Sequence, residues 1–217
     1  IPDSVEDIGG LAFNHTAFYQ DAANRTGYVL YIGKYLIRAK DTLSGAYTVR
    51  PGTKCIGADG FYKCKKLTSL DMPDSVTYIG ALAFTDCRNL EEIRLPKNLT
   101  RIEQAAFNGC ASLTSISIPD SVKSIGAGAF EGCSALTSLT VPGSVKTIEN
   151  GVFKDCAGLD SVSISEGVEH IVTFAFLNCT ALTSVTMPQS LTNLEQGAFY
   201  GCANLTNIHP DEKNPVY

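Results

Sequence analysis

A right-handed solenoid of stacked coils, with a parallel β-sheet along its concave face, is the fold this sequence predicts. Three observations predict it. Seven copies of Phe-x-x-Cys-x-x-Leu follow one another at a constant step of 23 residues. In the stretch after each Leu, apolar residues alternate with polar ones. Proline closes that stretch at positions 73, 96, 119, 142 and 188, with Ser165 in the one gap. A copy this short cannot bury its apolar face alone, so successive copies must stack to make one continuous core.

Each element of the unit follows from its side chains. Leu113, Ile116 and Ile118 alternate with Ser115 and Ser117. The first set should face inward and the second outward, as a strand buried on one face requires. Pro119 ends the strand because its nitrogen cannot donate to a ladder. Val122 and Ile125 then line the return path, in columns that recur with the period. "GAGAF" at 126–130 is too short for a full helix and predicts a helical or 3₁₀ turn. The Phe column (Phe61, Phe84, Phe107, Phe130, Phe153, Phe176, Phe199) should stack ring over ring. The regular pattern runs over 49–208, and the period lies within the range of leucine-rich repeats.

The front of the chain departs from this register. Residues 1–13 match an internal segment ("IPDSVEDIGGLAF" against "MPDSVTYIGALAF" at 72–84) and form a partial repeat. Residues 14–48 hold an irregular unit. There Tyr28–Ile32 and Tyr35–Ala39 are rich in β-formers, and Gly33-Lys34 between them suits a hairpin turn. Residues 209–217 look like the start of a further unit or a tail. The whole is expected to be one solenoid domain cut from a longer array, with end-to-end self-association of its uncapped coils as one consequence.

The Pro, Val, Ile, Ala-Phe and Cys columns over 72–208 resemble the BspA-like, or Treponema-type, leucine-rich repeats. The segment "GYVLYIGKYLIRA" resembles a non-standard unit common in that family. The resemblance implies a leucine-rich repeat fold, a cell-surface or secreted location, and a non-catalytic role in adhesion to host components or other cells, with protein or glycan as partner.

Eight cysteines raise the question of disulfides or metal. Adjacent coils lie about 4.8 Å apart, so Cys64, Cys87, Cys110, Cys133, Cys156, Cys179 and Cys202 should form a straight column. Their Cβ vectors would run side by side rather than face to face, which disfavours bridging. No C-x-x-C pair exists, and a straight ladder does not converge on a tetrahedron. The column therefore suits small buried hydrophobes with a weak donor. Cys55 falls outside it, in the slot Tyr78 holds one repeat later, and is expected to be the most exposed or reactive of the eight.

Composition and motifs narrow the function further. A net charge of -5 and a pI near 5.2 give no overall basic footprint for nucleic acid. No apolar run approaches the length of a membrane span. The histidines His15, His170 and His209 are scattered, and no nucleophile elbow, phosphate loop, zinc motif or calcium loop appears. No cofactor is implied. Glu103, Glu149, Glu169 and Glu195 recur with the repeat and read as a solvated face. Five sequons (Asn14, Asn24, Asn98, Asn178, Asn204) matter only in a eukaryotic secretory pathway.

The outward strand positions remain as binding candidates. One column reads Ser69, Glu92, Ser115, Ser138, Ser161, Ser184, Asn207; the next reads Asp71, Arg94, Ser117, Thr140, Ser163, Thr186, His209. Hydroxyls suit an exposed sheet without any ligand. They also suit a shallow polar groove. The charged exceptions Asp71, Glu91, Glu92 and Arg94 cluster at one end. Tyr28, Tyr31 and Tyr35 in the irregular unit are the aromatic candidates, since inserted segments on a rigid scaffold often carry recognition.

Overall fold

The structure is a computed structural model that describes residues 1, 2 and 4–210. The unit expected at 209–217 therefore lies, from residue 211 on, outside the described residues. The first part of the chain is built of turns, one helical turn α1 (Ala17–Gln20) and a 3₁₀ turn at 22–24. Thr16 caps α1: its Oγ1 accepts from the Tyr19 N–H at 3.1 Å and donates to the Phe13 carbonyl at 2.7 Å. Strands β1 (Arg25–Thr26), β2 (Val29–Ile32) and β3 (Tyr35–Ala39) follow as an antiparallel set. β2 and β3 join through Gly33-Lys34, with Gly33 at φ +58°.

Short and long strands alternate from there on. They are β4 (Ser44–Thr48), β5 (Cys55–Ile56), β6 (Lys66–Asp71), β7 (Tyr78–Ile79), β8 (Glu92–Arg94), β9 (Arg101–Ile102) and β10 (Ser124–Ile125). Then come β11 (Ser138–Val141), β12 (Thr147–Ile148), β13 (Ser161–Ile164), β14 (His170–Ile171), β15 (Ser184–Met187), β16 (Asn193–Leu194) and β17 (Asn207–Pro210). Long strands pair in parallel in the orders β4-β6-β8 and β11-β13-β15-β17. Short strands also pair in parallel, with β3 as the link between the hairpin and the array: β3-β5-β7-β9-β10, and separately β12-β14-β16. Each coil thus carries two ladders. The alternation after each Leu announces the first. The second, on the return path, holds two residues per coil, too few for periodicity to register.

Two local expectations are revised. Residues 113–118 keep the forecast alternation, with Leu113, Ile116 and Ile118 buried and Ser115 and Ser117 exposed, but they are not hydrogen-bonded as a strand. Side-chain direction sets burial, while peptide tilt sets the ladder, so the first survives where the second lapses. Nor do the regular coils contain helical turns, at "GAGAF" or elsewhere. Two positions per coil are left-handed, at φ +52° to +78°. One is the second residue before each Phe: Leu11, Asp59, Leu82, Ala105, Gly128, Gly151, Phe174, Gly197. The other precedes each Cys: Lys63, Asp86, Gly109, Gly132, Asp155, Asn178, Gly201. Left-handed residues four apart leave no right-handed run long enough for a helical turn, and the chain forms successive β-turns instead.

Stacking makes the core. Six consecutive Phe pairs lie with ring centroids 4.9–5.6 Å apart and planes within 18° of parallel. Rings from Phe61 to Phe176 are fully buried, and Phe199 is half-buried because only one neighbour covers it among the described residues. Both faces of the hairpin are covered. Val29, Tyr31, Leu36 and Ala39 join the main core. Leu30, Tyr35 and Ile37 form a second cluster with Ile8, Cys55 and Tyr78, packed by Val5, Phe13 and Tyr19. Unbroken apolar runs such as "VLYI" are what a strand buried on two sides requires.

Polar ladders lock each coil to the one before. All eight cysteines are free thiols. The Sγ atoms of Cys87, Cys110, Cys133, Cys156, Cys179 and Cys202 each donate to the carbonyl of the Phe 26 residues earlier, at 3.1–3.4 Å. Cys64 donates to the Lys40 carbonyl in the same way. This explains the column: the corner needs something small, apolar and able to donate weakly, and cysteine is all three. Ser75, Ser121, Ser144 and Ser190 form a second ladder, donating to carbonyls 22 residues earlier at 2.6–2.8 Å.

Cys55 is not exposed. It is fully buried beside Tyr78 in the parallel register of β5 and β7, because residues of the first 13 and β3 close over it. Burial pushes its thiol up to about 12, as it does for Cys64 and Cys156. In native buffer a thiol reagent should modify Cys202, the one cysteine only half-buried, while the other seven react at the rate of unfolding. Prompt labelling of Cys55, read by mass spectrometry of peptides, would contradict this packing.

Candidate functional site

The outward face of the long strands brings the two hydroxyl columns into register. Ser138, Ser161, Ser184 and Asn207 are consecutive partners, as are Thr140, Ser163, Thr186 and His209. Between them Leu139, Val162 and Val185 turn inward. The result is a row of small donors and acceptors repeating at the coil spacing of about 4.8 Å. A shallow depression of about 540 Å³ lies along this row, from Ser115 and Ser117 to Ser184 and Thr186. No bulky or charged side chain interrupts it there.

Toward the front of the array the face becomes charged. Ser69 pairs with Glu92 and Asp71 with Arg94 across β6 and β8. Arg94 is turned toward its own scaffold. Its Nε lies 3.1 Å from Asp71 Oδ1, its Nη1 lies 3.1 Å from Asp74 Oδ1, and its Nη2 donates to the Met72 carbonyl at 2.7 Å. The Lys97 backbone N–H and the Arg94 guanidinium hold the Asp74 carboxylate below the usual range. Sequence reading passed over Asp74 because it sits beyond the strand, in the turn after Pro73. Its signal was the "PDS" turn, in which a carboxylate serves a neighbouring coil. Glu91 and Glu92 are exposed, as are the side chains of Asp71 and Arg94, at 60 % and 51 %.

The aromatic candidates separate. Tyr28 is 52 % exposed at the start of the hairpin. Tyr31 and Tyr35 are not surface residues, since the hairpin is covered on both faces. Tyr31 is 7 % exposed, with its hydroxyl 3.0 Å from that of Tyr47 and the Arg50 guanidinium 4.2 Å from its ring. Tyr35 is 1 % exposed, and its hydroxyl donates to the carbonyls of Pro2 and Val5 at 2.9 and 2.8 Å. Both tie the hairpin to its surroundings and cannot meet a ligand without unfolding it.

Among the described residues no group of three or more His, Cys, Asp and Glu side chains is placed to hold a metal ion, and no helix is long and apolar enough to cross a membrane. His170 stands in β14 beside Thr147 and Asn193, a variable outward slot.

In-register parallel ladders, a stacked aromatic column and a 23-residue step define a leucine-rich repeat solenoid, built here with turns where other such arrays place helices. The chain belongs to the BspA type leucine rich repeat family: that family's model matches residues 54–171 and 146–214, six copies in all. Solved structures agree. The chain is similar to the leucine rich repeat protein of T. pallidum, at 31% identity and a TM-score of 0.73, over 79% of this chain and 82% of that one. It is similar to a leucine rich cell surface protein from Faecalibacterium prausnitzii, at 28% identity and a TM-score of 0.54, over 77% of this chain and 60% of that one. The pneumococcal vaccine antigen PcpA shares the fold, at 23% identity and a TM-score of 0.65, with 85% of this chain covering 48% of that protein. No curated protein matches the chain in sequence.

Proposed function

We propose that the chain is a non-catalytic binding module of a surface-displayed or secreted protein, gripping a protein or glycan along the outward strand face. The observation that carries this is the unobstructed, in-register row of hydroxyls with its depression of about 540 Å³. Rigid strands hold these groups at fixed spacing, so little ordering cost falls on the protein when a ligand lies down. Asp71, Glu91, Glu92 and Arg94 mark one end of the face, and Tyr28 offers a separate aromatic contact. The likeness to a leucine rich cell surface protein supports surface display.

A second reading is a spacer that carries other parts of a larger surface protein and has no ligand of its own. Arg94 favours it, since all three of its nitrogens serve the scaffold. A glycan array and a panel of purified host proteins separate the two. Under the binding reading, a captured ligand loses affinity about tenfold when Ser138 and Ser161 are both changed to Arg, which fills the depression without touching the core. It also weakens when Asp71→Asn, Glu92→Gln and Arg94→Gln are combined. Binding that survives both sets places the ligand elsewhere, and an empty screen supports the spacer.

A further inference from the structure

Charge is spread unevenly along the chain. Residues 25–66 hold nine of the 17 lysines and arginines but two of the 22 acids, a formal charge of +7. The other 175 residues hold eight cations and 20 acids, a formal charge of −12. The modest net value of -5 conceals this division.

The fold gathers four of the nine cations around one cleft. Arg25 from β1, Arg38 from β3, Lys40 just after it and Lys63 from the turn after Phe61 line an opening of about 510 Å³ together with Tyr19 and Tyr62. Rings and carbonyls hold Arg25, Arg38 and Lys63 in place. The Arg25 guanidinium sits 5.4 Å from the Tyr19 ring centroid and donates to the Arg38 carbonyl. The Arg38 guanidinium sits 5.4 Å from the Tyr62 centroid and donates to the Asp59 carbonyl at 2.9 Å. Lys63 Nζ lies 4.8 Å from the same ring. An aromatic face orients a cation without neutralising it.

Carboxylates do little to cancel the charge. Asp59 reaches Arg38 at 4.0 Å, and Asp41 also lines the cleft. Among the described residues no carboxylate lies within 4.0 Å of Arg25, Lys40 or Lys63. Elsewhere the habit is opposite: Arg88, Arg94, Arg101, Lys146 and Lys154 each have a carboxylate at 2.8–3.1 Å. Cations with little carboxylate beside them thus converge on a concavity that the irregular unit builds with the first regular coil.

The geometry points to a binding site for a short anionic glycan segment, a sugar bearing carboxylate or sulfate groups. It extends the binding-module reading to a second place on the molecule, distinct from the hydroxyl face. Guanidinium forks match planar carboxylate and tetrahedral oxyanions through paired N–H donors. The lining is dominated by donors, with the Thr42 hydroxyl among them, which suits a ligand rich in acceptor oxygens. The opening is of small-ligand size. A long polyanion would have to cross the acidic remainder of the chain. Arg25 lies over the Tyr19 ring, and Arg38 and Lys63 over the Tyr62 ring, which leaves less aromatic face for a base to stack on.

Calorimetric titration of the intact chain tests this with four probes: a sulfated hexasaccharide, the same sugar desulfated, an oligoglutamate peptide and a short DNA duplex. The sulfated sugar should bind, and its affinity should fall as salt is raised. Lys40→Glu combined with Lys63→Glu should lower the affinity about tenfold or more, and Asp41→Asn should raise it. Lys123→Glu, on an exposed site of a distant coil, should change nothing. Lys40, Asp41 and Lys63 are exposed, so thermal melting should show each variant folded. The assignment is overturned by no binding of the sulfated sugar, by equal binding of its desulfated form, by tighter binding of peptide or duplex, or by indifference to the Lys40/Lys63 change. Ser138→Arg with Ser161→Arg should leave this affinity intact, so a failure here and a failure of the hydroxyl face are told apart.

Discussion

Phe130→Ala is expected to cost about 3–5 kcal/mol of unfolding free energy, measured by urea denaturation. The ring is fully buried and lies between Phe107 at 5.1 Å and Phe153 at 5.6 Å. Truncation therefore removes two stacking interfaces and leaves a void in a column whose neighbours are fixed by backbone ladders on both sides. Those ladders hold the coil spacing, so the cavity cannot collapse, which places the loss toward the upper part of the range. Phe199→Ala provides the contrast. Among the described residues that ring stacks on Phe176 alone, and it is half-buried, so its loss should be at most half as large. In a nearest-neighbour array the middle coil contributes two interfaces and a terminal one contributes one. Equal losses at the two positions, or a loss below about 1 kcal/mol at Phe130, would show that the column does not carry the stability assigned to it.

Gly126→Val is expected to destabilise by roughly 3 kcal/mol, through overpacking rather than lost contacts. A Cβ placed on Gly126 would fall 2.5 Å from the Gln104 backbone nitrogen and 2.8 Å from the Glu103 carbonyl carbon. These are main-chain atoms of the preceding coil, held there by the Gly126 N–H donating to the Ile102 carbonyl at 2.8 Å. Relief requires the coils to part, and parting them breaks the short-strand ladder. Gly132→Ala serves as the comparison. A Cβ there meets nothing closer than 3.7 Å, so only the left-handed φ of +73° resists, at about 1 kcal/mol. If the two substitutions cost the same in denaturation, close approach of the coils at Gly126 is not the constraint described.

Much of this architecture was legible in the sequence because the repeat displays the Phe, Cys and Leu columns seven times each. The Phe and Cys columns, the inward positions of the strands and the hairpin at Gly33-Lys34 could be assigned without coordinates. The features that escaped share a physical character. The short-strand ladder spans two residues per coil, below the reach of periodicity. The left-handed columns were obscured by Lys63, Leu82, Ala105 and Phe174, side chains that pattern reading does not associate with positive φ, although Gly, Asp and Asn fill most of the other copies. Burial of Tyr35 and Cys55 depends on how Val5, Ile8 and Phe13 return over one face of the hairpin, and burial of Tyr31 on the main core against the other, and no local rule encodes either contact. The candidate face was legible as a polar strip. The internal engagement of Arg94 required Asp74, from outside the strand, to be seen beside it.

The sulfur-to-carbonyl ladder bears on how the molecule comes into being. Once assembled, seven of the eight mercaptans are sealed from oxidants, and Cys202 is half-covered. Before assembly the same eight groups are open to solvent and free to couple in many wrong combinations. Were the chain to mature in an oxidising compartment, coil propagation would compete with cross-linking, and growth of the stack from a nucleated pair of turns would have to outrun it.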